Sequence, residues 1–128
     1  GTDFDTPDGT GVRDFIHVVD LASAHLDGLK YLETAQKSQI LNCGYGQGYS
    51  VREVIACLRQ ISGQKISVIE TERRKGDPGC VISQADKIHQ VLNWKPQYTD
   101  LFHMVETSWN WEVQRNSCFR LLARPVLT

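Results

Sequence analysis

Apolar side chains recur every three or four residues in the first half of the chain, which is the spacing of amphipathic helices. The first predicted helix covers residues 20–34. Its apolar positions are Ala22, Leu26, Leu29 and Leu32. The second predicted helix covers residues 51–62, because Ser50 and Glu53 form a capping box in front of it and Gly63 follows its last residue.

Two further helices are predicted in the second half of the chain. Ser83 with Asp86 is typical of a capped helix start, which places a third helix over residues 85–93. Thr99 is expected to cap a fourth helix over residues 100–114. The tryptophans of this region are Trp94, Trp109 and Trp111. Because apolar residues surround them at or near the helix ends, packing is favoured over ligand stacking.

Two short apolar stretches between the helices predict β-strands at residues 39–43 and 65–70. Residues 1–13 are rich in glycine, aspartate and threonine and predict a surface loop. Strands that alternate with helices are typical of an α/β fold. Two strands do not form a stable sheet by themselves. We therefore expect further strands to come from a longer polypeptide, an expectation that the absence of an initiator methionine supports.

Length and charge narrow the possible classes of protein. The 128 residues suffice for one domain, and 14 basic against 15 acidic side chains give a formal charge of −1. Nucleic-acid-binding domains normally carry a basic excess, so this class is disfavoured. No apolar run approaches the roughly 18 residues of a membrane span. The four cysteines form no C-x-x-C pair, which is typical of reduced thiols in a cytoplasmic protein.

A glycine run, Gly44-Tyr45-Gly46-Gln47-Gly48, lies between a predicted strand and a predicted helix, which is the setting of a dinucleotide-binding turn. A full G-x-G-x-x-G motif would need glycine at position 49, where Tyr49 stands. We therefore favour a tight strand-to-helix connection over a phosphate-binding turn. The four histidines show no spacing typical of metal ligands, and no metal site is expected.

Two glycine-flanked loops contain arginine, one around Arg13 and one that runs from Arg73 through Arg74 to Asp77. The guanidinium fork matches phosphate oxygens in a bidentate manner, and nearby glycines allow a ligand to approach the backbone closely. In a nearly neutral chain, two such loops indicate a small phosphorylated ligand rather than a nucleic-acid surface. The alternative interpretation is that each arginine is a solvated surface residue.

Longer strings of residues resemble a known family. They are GTDFDTPDGTGVRDFIHVVDLASAH, ILNCGYGQGYSVREVI, ERRKGDPG, ADKIHQVLNWKPQYTDL and TSWNW. In this order they resemble the C-terminal part of the UDP-glucose 4-epimerase family, within the extended short-chain dehydrogenases/reductases. The resemblance implies a substrate-binding portion over residues 1–114, with the last strand or strands of a Rossmann-type sheet and without the N-terminal half. Residues 115–128 form a divergent tail.

The resemblance implies roles for four side chains. Arginines that match Arg13 and Arg74 hold the diphosphate of the UDP-sugar in this family, and an acid that matches Asp77 binds a ribose hydroxyl. Val81 stands at a position beside the sugar that is sometimes a bulky tyrosine. The smaller valine would leave room for an N-acetylated sugar such as UDP-N-acetylglucosamine.

The chain departs from the family pattern in its catalytic and cofactor motifs. None of its four tyrosines is followed by lysine four residues later, so the Y-x-x-x-K pair is absent, as is the G-x-x-G-x-x-G turn for NAD. The resemblance therefore implies that NAD and the catalytic groups belong to the preceding half, and that this chain alone is inactive. A homodimer is expected for the full-length protein, because family members are often dimers. The reaction implied is the interconversion of UDP-galactose and UDP-glucose by removal and return of the C4 hydride.

Two alternatives to the epimerase stay open at this point. Other nucleotide-sugar dehydratases and reductases of the same superfamily share the R-D-F-I-H-V core and the R-x-G-D turn. A non-catalytic nucleotide-sugar-binding module would need the same binding residues and no catalytic half. An upstream Y-x-x-x-K motif in the gene would exclude the module.

Overall fold

A computed structural model describes the backbone of residues 1–122 and the side chains of residues 1–116. Within these residues the elements follow one another in the order strand, helix, strand, helix, strand, helix, helix. They are β1 (Val12–Arg13), α1 (Val18–Ala35), β2 (Tyr49–Ser50), α2 (Val51–Ser62), β3 (Cys80–Val81), α3 (Asp86–Leu92) and α4 (Leu101–Leu122). The α/β class predicted from the sequence is confirmed.

The three strands form a small sheet in the order β2-β1-β3. The central strand β1 runs antiparallel to β2 and parallel to β3, with Arg13 opposite Tyr49 on one side and Val81 on the other. The prediction that residues 1–13 are wholly loop is therefore wrong at its end. Val12 and Arg13 are a strand because two segments distant in sequence supply ladder partners, which no local pattern reveals.

The strands predicted at residues 39–43 and 65–70 are wrong, because both segments lack regular secondary structure. A strand requires a hydrogen-bonded neighbour, and within residues 1–122 the described ladders involve other segments. Ile40 is 88% exposed and Ile69 is 85% exposed, whereas Leu41 and Cys43 of the first stretch pack against the core.

Helix α1 is confirmed, with bounds of Val18–Ala35 in place of residues 20–34. It begins after His17, whose ring Nδ1 accepts a hydrogen bond from the backbone N–H of Val19 at 3.1 Å. The apolar stripe that predicted this helix lies largely on its exposed side. The side buried by the described residues instead contains Asp20 and Ala24.

Helix α2 is confirmed with the predicted bounds and caps. The backbone N–H of Glu53 donates to Ser50 Oγ at 3.1 Å, and the backbone N–H of Ser50 donates to Glu53 Oε2 at 2.6 Å. Gly63 ends the helix with a left-handed φ of 63°. Both ends are settled by local residues, which is why the sequence predicts them well.

The caps predicted for the last two helices are wrong. Ala85 is the N-cap of α3, and the helix has no side-chain cap because the Ser83 segment continues from β3. The first turn of α4 is capped by Asp100, whose carboxylate accepts from the backbone N–H of His103 at 2.8 Å, rather than by Thr99. Helix α4 also runs beyond the predicted end at residue 114 to Leu122. Residues 123–128 of the predicted tail lie outside the described residues.

Trp94 is the centre of the core and is 1% exposed. It packs with Ala24, Ala85 and Ile88, and its indole N–H lies 2.9 Å from Ser23 Oγ and 3.1 Å from the backbone oxygen of Asp20. The packing role predicted for the tryptophans is confirmed for this residue. It is wrong for Trp111, which is 63% exposed, and Trp109 is half-buried.

Asp20 ties three segments of the chain together from a buried position. Its carboxylate accepts from the Tyr45 hydroxyl at 2.6 Å and from the backbone N–H groups of Gln97 at 2.9 Å and Tyr98 at 2.8 Å. Burial by itself would raise the pKa of Asp20, but these hydrogen bonds to the ionised form outweigh it and lower the pKa below its ordinary value. The network needs an ionised carboxylate.

Replacing Asp20 by asparagine is expected to lower the free energy of unfolding by about 1.5–3 kcal/mol at neutral pH, because hydrogen bonds to a charged acceptor are lost. The folded-state pKa of Asp20 lies below the unfolded value, so its contribution is present above about pH 4 and is lost as the pH falls through the folded value. Urea unfolding between about pH 7 and pH 3 should therefore show that the difference in free energy of unfolding between the wild type and Asp20→Asn becomes smaller in acid. Asp86→Asn, at an exposed carboxylate, is the control. A difference in free energy of unfolding between the wild type and Asp20→Asn that stays constant with pH would contradict the prediction.

Candidate functional site

Three of the four predicted site residues line one cavity of about 470 Å³. The cavity lies beside β1, the first turns of α2 and the segment of residues 68–77. Arg13, Arg74 and Asp77 contribute its charged side chains together with Arg52 and two glutamates. Apolar side chains of α2 and of residues 68–69 form further walls together with residues of the N-terminal loop, among them Phe4. A cleft with three arginines, three carboxylates and apolar walls can contact both the polar and the apolar parts of a small ligand.

Arg13 reaches this cavity from the central strand and is held by the turn that precedes β3. Its Nη2 lies 2.6 Å from Asp77 Oδ1 and 2.9 Å from the carbonyl oxygen of Pro78. Its Nη1 donates to the carbonyl oxygen of Val12 at 2.8 Å and lies 3.4 Å from that of Gly79. The guanidinium is therefore fixed in orientation before any ligand binds.

Arg74 stands on the same turn and is far less constrained. Its side chain is 89% exposed, and Nη2 lies 3.6 Å from Asp77 Oδ2. The turn closes through the Asp77 backbone N–H, which donates to the carbonyl oxygen of Arg74 at 3.2 Å, and through Gly76 at a left-handed φ of 81°. Asp77 thus bridges both arginines, and two positive charges face one negative charge.

Val81 does not join the other three residues in the cavity. It pairs with Arg13 across the parallel strands β1 and β3, and it is 47% exposed. Arg73 also lies apart, with its Nε 3.4 Å from Asp3 and its guanidinium carbon 5.5 Å from the centre of the Phe4 ring. The structure therefore separates Arg73 from its neighbour Arg74.

Sequence reasoning missed Arg52, a further cation that lines the cavity. Its guanidinium forms an ion pair with Glu70 at 3.0 Å, across a long-range contact between α2 and the segment before the arginine turn. The sequence does contain an indication of this role, because Arg52 lies in the first turn of α2, where a positive side chain is unfavourable next to the helix dipole. An arginine at that position indicates a compensating partner or ligand.

The glycine run forms a tight connection, as the sequence favoured. The backbone N–H groups of Tyr45 and Gly46 donate to the Asp14 carboxylate at 3.0 and 2.9 Å. A dinucleotide turn offers such groups to a phosphate, whereas here an acid of the same chain occupies them. The residues of this turn therefore do not fit NAD.

The titratable residues outside the cavity can be compared with the arrangements that metal ions require. Among residues 1–116, no group of three or more His, Cys, Asp or Glu side chains is arranged to hold a metal ion. Three cysteines of this range are free thiols, and burial raises the pKa of Cys43 and Cys57. A raised thiol pKa indicates a packing role rather than a reactive one. None of the described helices is long and apolar enough to cross a membrane.

Comparison with known proteins gives consistent matches. No family model matches the chain. A UDP-glucose 4-epimerase of Lacticaseibacillus casei is 45% identical over 111 residues, which are 87% of this chain and 34% of that protein. A UDP-glucose 4-epimerase structure from Stenotrophomonas maltophila, with bound NAD and formylated UDP-arabinopyranose, has a TM-score of 0.85 at 38% identity and covers 92% of this chain and 35% of its own. A UDP-Glc/GlcNAc 4-epimerase from Campylobacter jejuni has a TM-score of 0.78 at 46% identity and covers 89% of this chain and 34% of its own.

The fold matches solved UDP-glucose 4-epimerase structures over about a third of their length, which is consistent with part of an extended short-chain dehydrogenase/reductase. Within that class the chain is similar to UDP-glucose 4-epimerase, and the resemblance predicted from the sequence is confirmed. The chain spans about a third of the length of the curated relatives that it matches.

Proposed function

We propose that this chain supplies the UDP-binding anchor of a UDP-glucose 4-epimerase that interconverts UDP-galactose and UDP-glucose. One observation carries the proposal: Arg13 lines the same cavity as Arg74 and Asp77, which lie 61 and 64 residues further along the chain. The lining of the cavity has three arginines and three carboxylates, and two of the guanidinium groups lie beside the single carboxylate of Asp77. Guanidinium groups bind phosphate oxygens in a bidentate manner, and the 89% exposed side chain of Arg74 is accessible to a diphosphate.

A 4-epimerase needs such an anchor because its sugar cannot be held tightly in one pose. The sugar must present opposite faces to the same catalytic groups, and binding energy must come from the part that stays in place. The UDP moiety is that part. Arg13, Arg74 and Asp77 are therefore proposed as binding residues, and the chemical step is left to groups outside this chain.

Asp77 has two proposed tasks in the anchor. In the structure it orients the guanidinium of Arg13 and neutralises part of the local positive charge. Its carboxylate oxygens can also accept a hydrogen bond from a ribose hydroxyl. An acid between the two arginines would thus bind the nucleoside while the guanidinium groups bind the diphosphate.

NAD is proposed to bind to the rest of the full-length protein. Similar structures from Stenotrophomonas maltophila and Bifidobacterium longum contain NAD, and the first also contains a UDP-sugar. In this chain the Asp14 carboxylate occupies the glycine-turn N–H groups that would face a phosphate. A homodimer is proposed for the full-length protein, and the free thiols support a cytoplasmic location.

Arg74→Lys in the full-length protein is expected to raise the Kd of UDP-sugars about tenfold, because a point ammonium cannot reproduce a bidentate fork. Isothermal titration with UDP-glucose and with UDP-galactose measures the effect. The increase should be equal for both sugars, since they share the UDP moiety.

Arg73→Lys is the matched control, because this neighbouring arginine is paired with Asp3 outside the cavity. We expect its Kd to stay within about twofold of the wild-type value. An unchanged Kd in Arg74→Lys, or a loss confined to one sugar, would show that Arg74 does not bind the diphosphate.

We further propose that the full-length enzyme accepts UDP-N-acetylglucosamine, with Val81 as the gate. The similar Campylobacter jejuni structure is of a UDP-Glc/GlcNAc 4-epimerase, which supports the proposal. Val81 lies next to the anchor through its pairing with Arg13, and valine leaves more space than tyrosine would.

Val81→Tyr is therefore expected to abolish turnover of UDP-N-acetylglucosamine while UDP-galactose turnover stays largely intact. Steady-state assays with the two substrates make the comparison, and Val81→Thr, which has nearly the same shape, should keep both activities. Equal losses with both substrates, or no loss with either, would remove Val81 as the gate.

A further inference from the structure

Asp14 follows the anchor residue Arg13 directly and its carboxylate gathers three backbone N–H groups. Oδ1 accepts from Tyr45 at 3.0 Å, and Oδ2 accepts from Gly46 at 2.9 Å and from Ser83 at 3.2 Å. These donors belong to two segments that are distant in sequence. The carboxylate therefore joins the end of β1 to the glycine connection and to the end of β3.

The contact with the glycine connection depends on the absence of a side chain at Gly44. A Cβ atom built there would lie 2.6 Å from Asp14 Oδ2 and 2.6 Å from Ser83 Cβ. Real Cβ atoms essentially never approach so closely. Gly44 is thus the residue that lets the connection close against Asp14.

The same junction fixes the relative position of the two strands that carry the site. The Asp14 backbone N–H donates to the carbonyl oxygen of Val81 at 3.2 Å, and that of Val12 donates to the carbonyl oxygen of Gly79 at 2.7 Å. The turn gripped by Arg13 lies immediately before β3. Since β1 and β3 have only two residues each, their ladder is short, and a side-chain clamp at its end adds constraint.

We infer that Asp14 is a positioning residue for the UDP anchor, an inference that rests on the function proposed above. Asp14 holds the end of β3 against β1, and thereby keeps Asp77 and its turn within reach of the Arg13 guanidinium. Only an ionised acid suits the position, because all three partners are donors. An asparagine would turn an NH₂ group toward at least one of them.

The test uses Asp14→Asn in the full-length protein. We expect the KM for UDP-glucose and the inhibition constant of UDP each to rise five- to tenfold, while kcat stays within twofold. A general loss of structure would lower kcat or the amount of folded enzyme instead. Asp86→Asn, at the exposed start of α3, is the control and should leave all three values unchanged.

Gly44→Ala gives a second variant that disturbs the same clamp from the opposite side. We expect it to raise the KM and the UDP inhibition constant as Asp14→Asn does. Gly28→Ala is its control, because a Cβ atom at Gly28 meets nothing within 4 Å. If Asp14→Asn does not fold, the KM and UDP inhibition constant of Gly44→Ala test the positioning role instead. If neither variant folds, the junction is required for folding, and the positioning role is overturned.

A double-mutant cycle separates this inference from the proposed function. If Asp14 acts through the Arg13 anchor, Asp14→Asn should change the UDP inhibition constant less than twofold in an Arg13→Ala background. Full additivity of the two effects would overturn the positioning role. An Arg13→Ala enzyme with unchanged UDP affinity would contradict the proposed function itself. A strong Arg13→Ala effect with none from Asp14→Asn or Gly44→Ala would overturn only the role of Asp14.

Discussion

Trp94→Ala is expected to lower the free energy of unfolding of the chain by about 3–5 kcal/mol, the typical cost of truncating a large buried aromatic side chain. Trp94 is 1% exposed, so nearly all of its apolar surface is removed from water. Its indole N–H also binds α1 through Ser23 and Asp20. The substitution would leave a cavity and remove a link between α1 and the segment after α3. Urea unfolding measures the change.

Trp111→Ala is the matched control for this prediction. Trp111 is the same residue type but is 63% exposed on α4. Its removal should cost less than about 1 kcal/mol, in the range of surface substitutions. Equal effects at the two positions would contradict the assignment of Trp94 as the centre of the core.

Arg13→Ala in the full-length protein is expected to raise the Kd of UDP about 100-fold, equivalent to about 2.8 kcal/mol. The expected effect exceeds that of Arg74→Lys for two reasons. Arg13 is on the central strand and is held in orientation by Asp77 and Pro78. Its loss also removes one of the two guanidinium groups that lie beside Asp77. Titration calorimetry with UDP measures the change.

Arg115→Ala is the control for charge removal. Arg115 forms an ion pair within α4, with Nη2 2.5 Å from Glu112 Oε2, and does not line the cavity. Its Kd for UDP should match the wild-type value. A fall in affinity in Arg115→Ala as large as in Arg13→Ala would show a general effect of net charge rather than an anchor.

The sequence predicts best those features that local residues decide. The capping box of Ser50 and Glu53 and the final Gly63 are completed within one helix, and α2 has the bounds they predict. The cap predicted at Ser83 is wrong because a tertiary contact holds its backbone, and the cap predicted at Thr99 is wrong because the next residue, Asp100, caps the helix. The Ser83 backbone N–H donates to the Asp14 carboxylate, 69 residues away, so a contact with the end of β1 holds the segment that follows β3.

The strands were predicted least well, because pairing is a property of two segments. Residues 39–43 and 65–70 have the apolar composition of strands, yet Ile40 and Ile69 stay exposed without a ladder. Arg13 is the reverse case, because its segment has the composition of a loop but forms the central strand. The chemical type of the site was visible in the two arginine loops. That the two loops line one cavity, and that Arg52 lines it as well, depends on contacts between segments that are distant in sequence.

The most direct test of the UDP anchor is a crystal structure of the full-length protein with UDP bound. We predict that diphosphate oxygens lie within hydrogen-bond distance, about 2.7–3.2 Å, of the guanidinium groups of Arg13 and Arg74. The ribose is predicted to contact the Asp77 carboxylate. A diphosphate bound at another surface, with Arg13 still paired only to Asp77 and its turn, would contradict the proposed function.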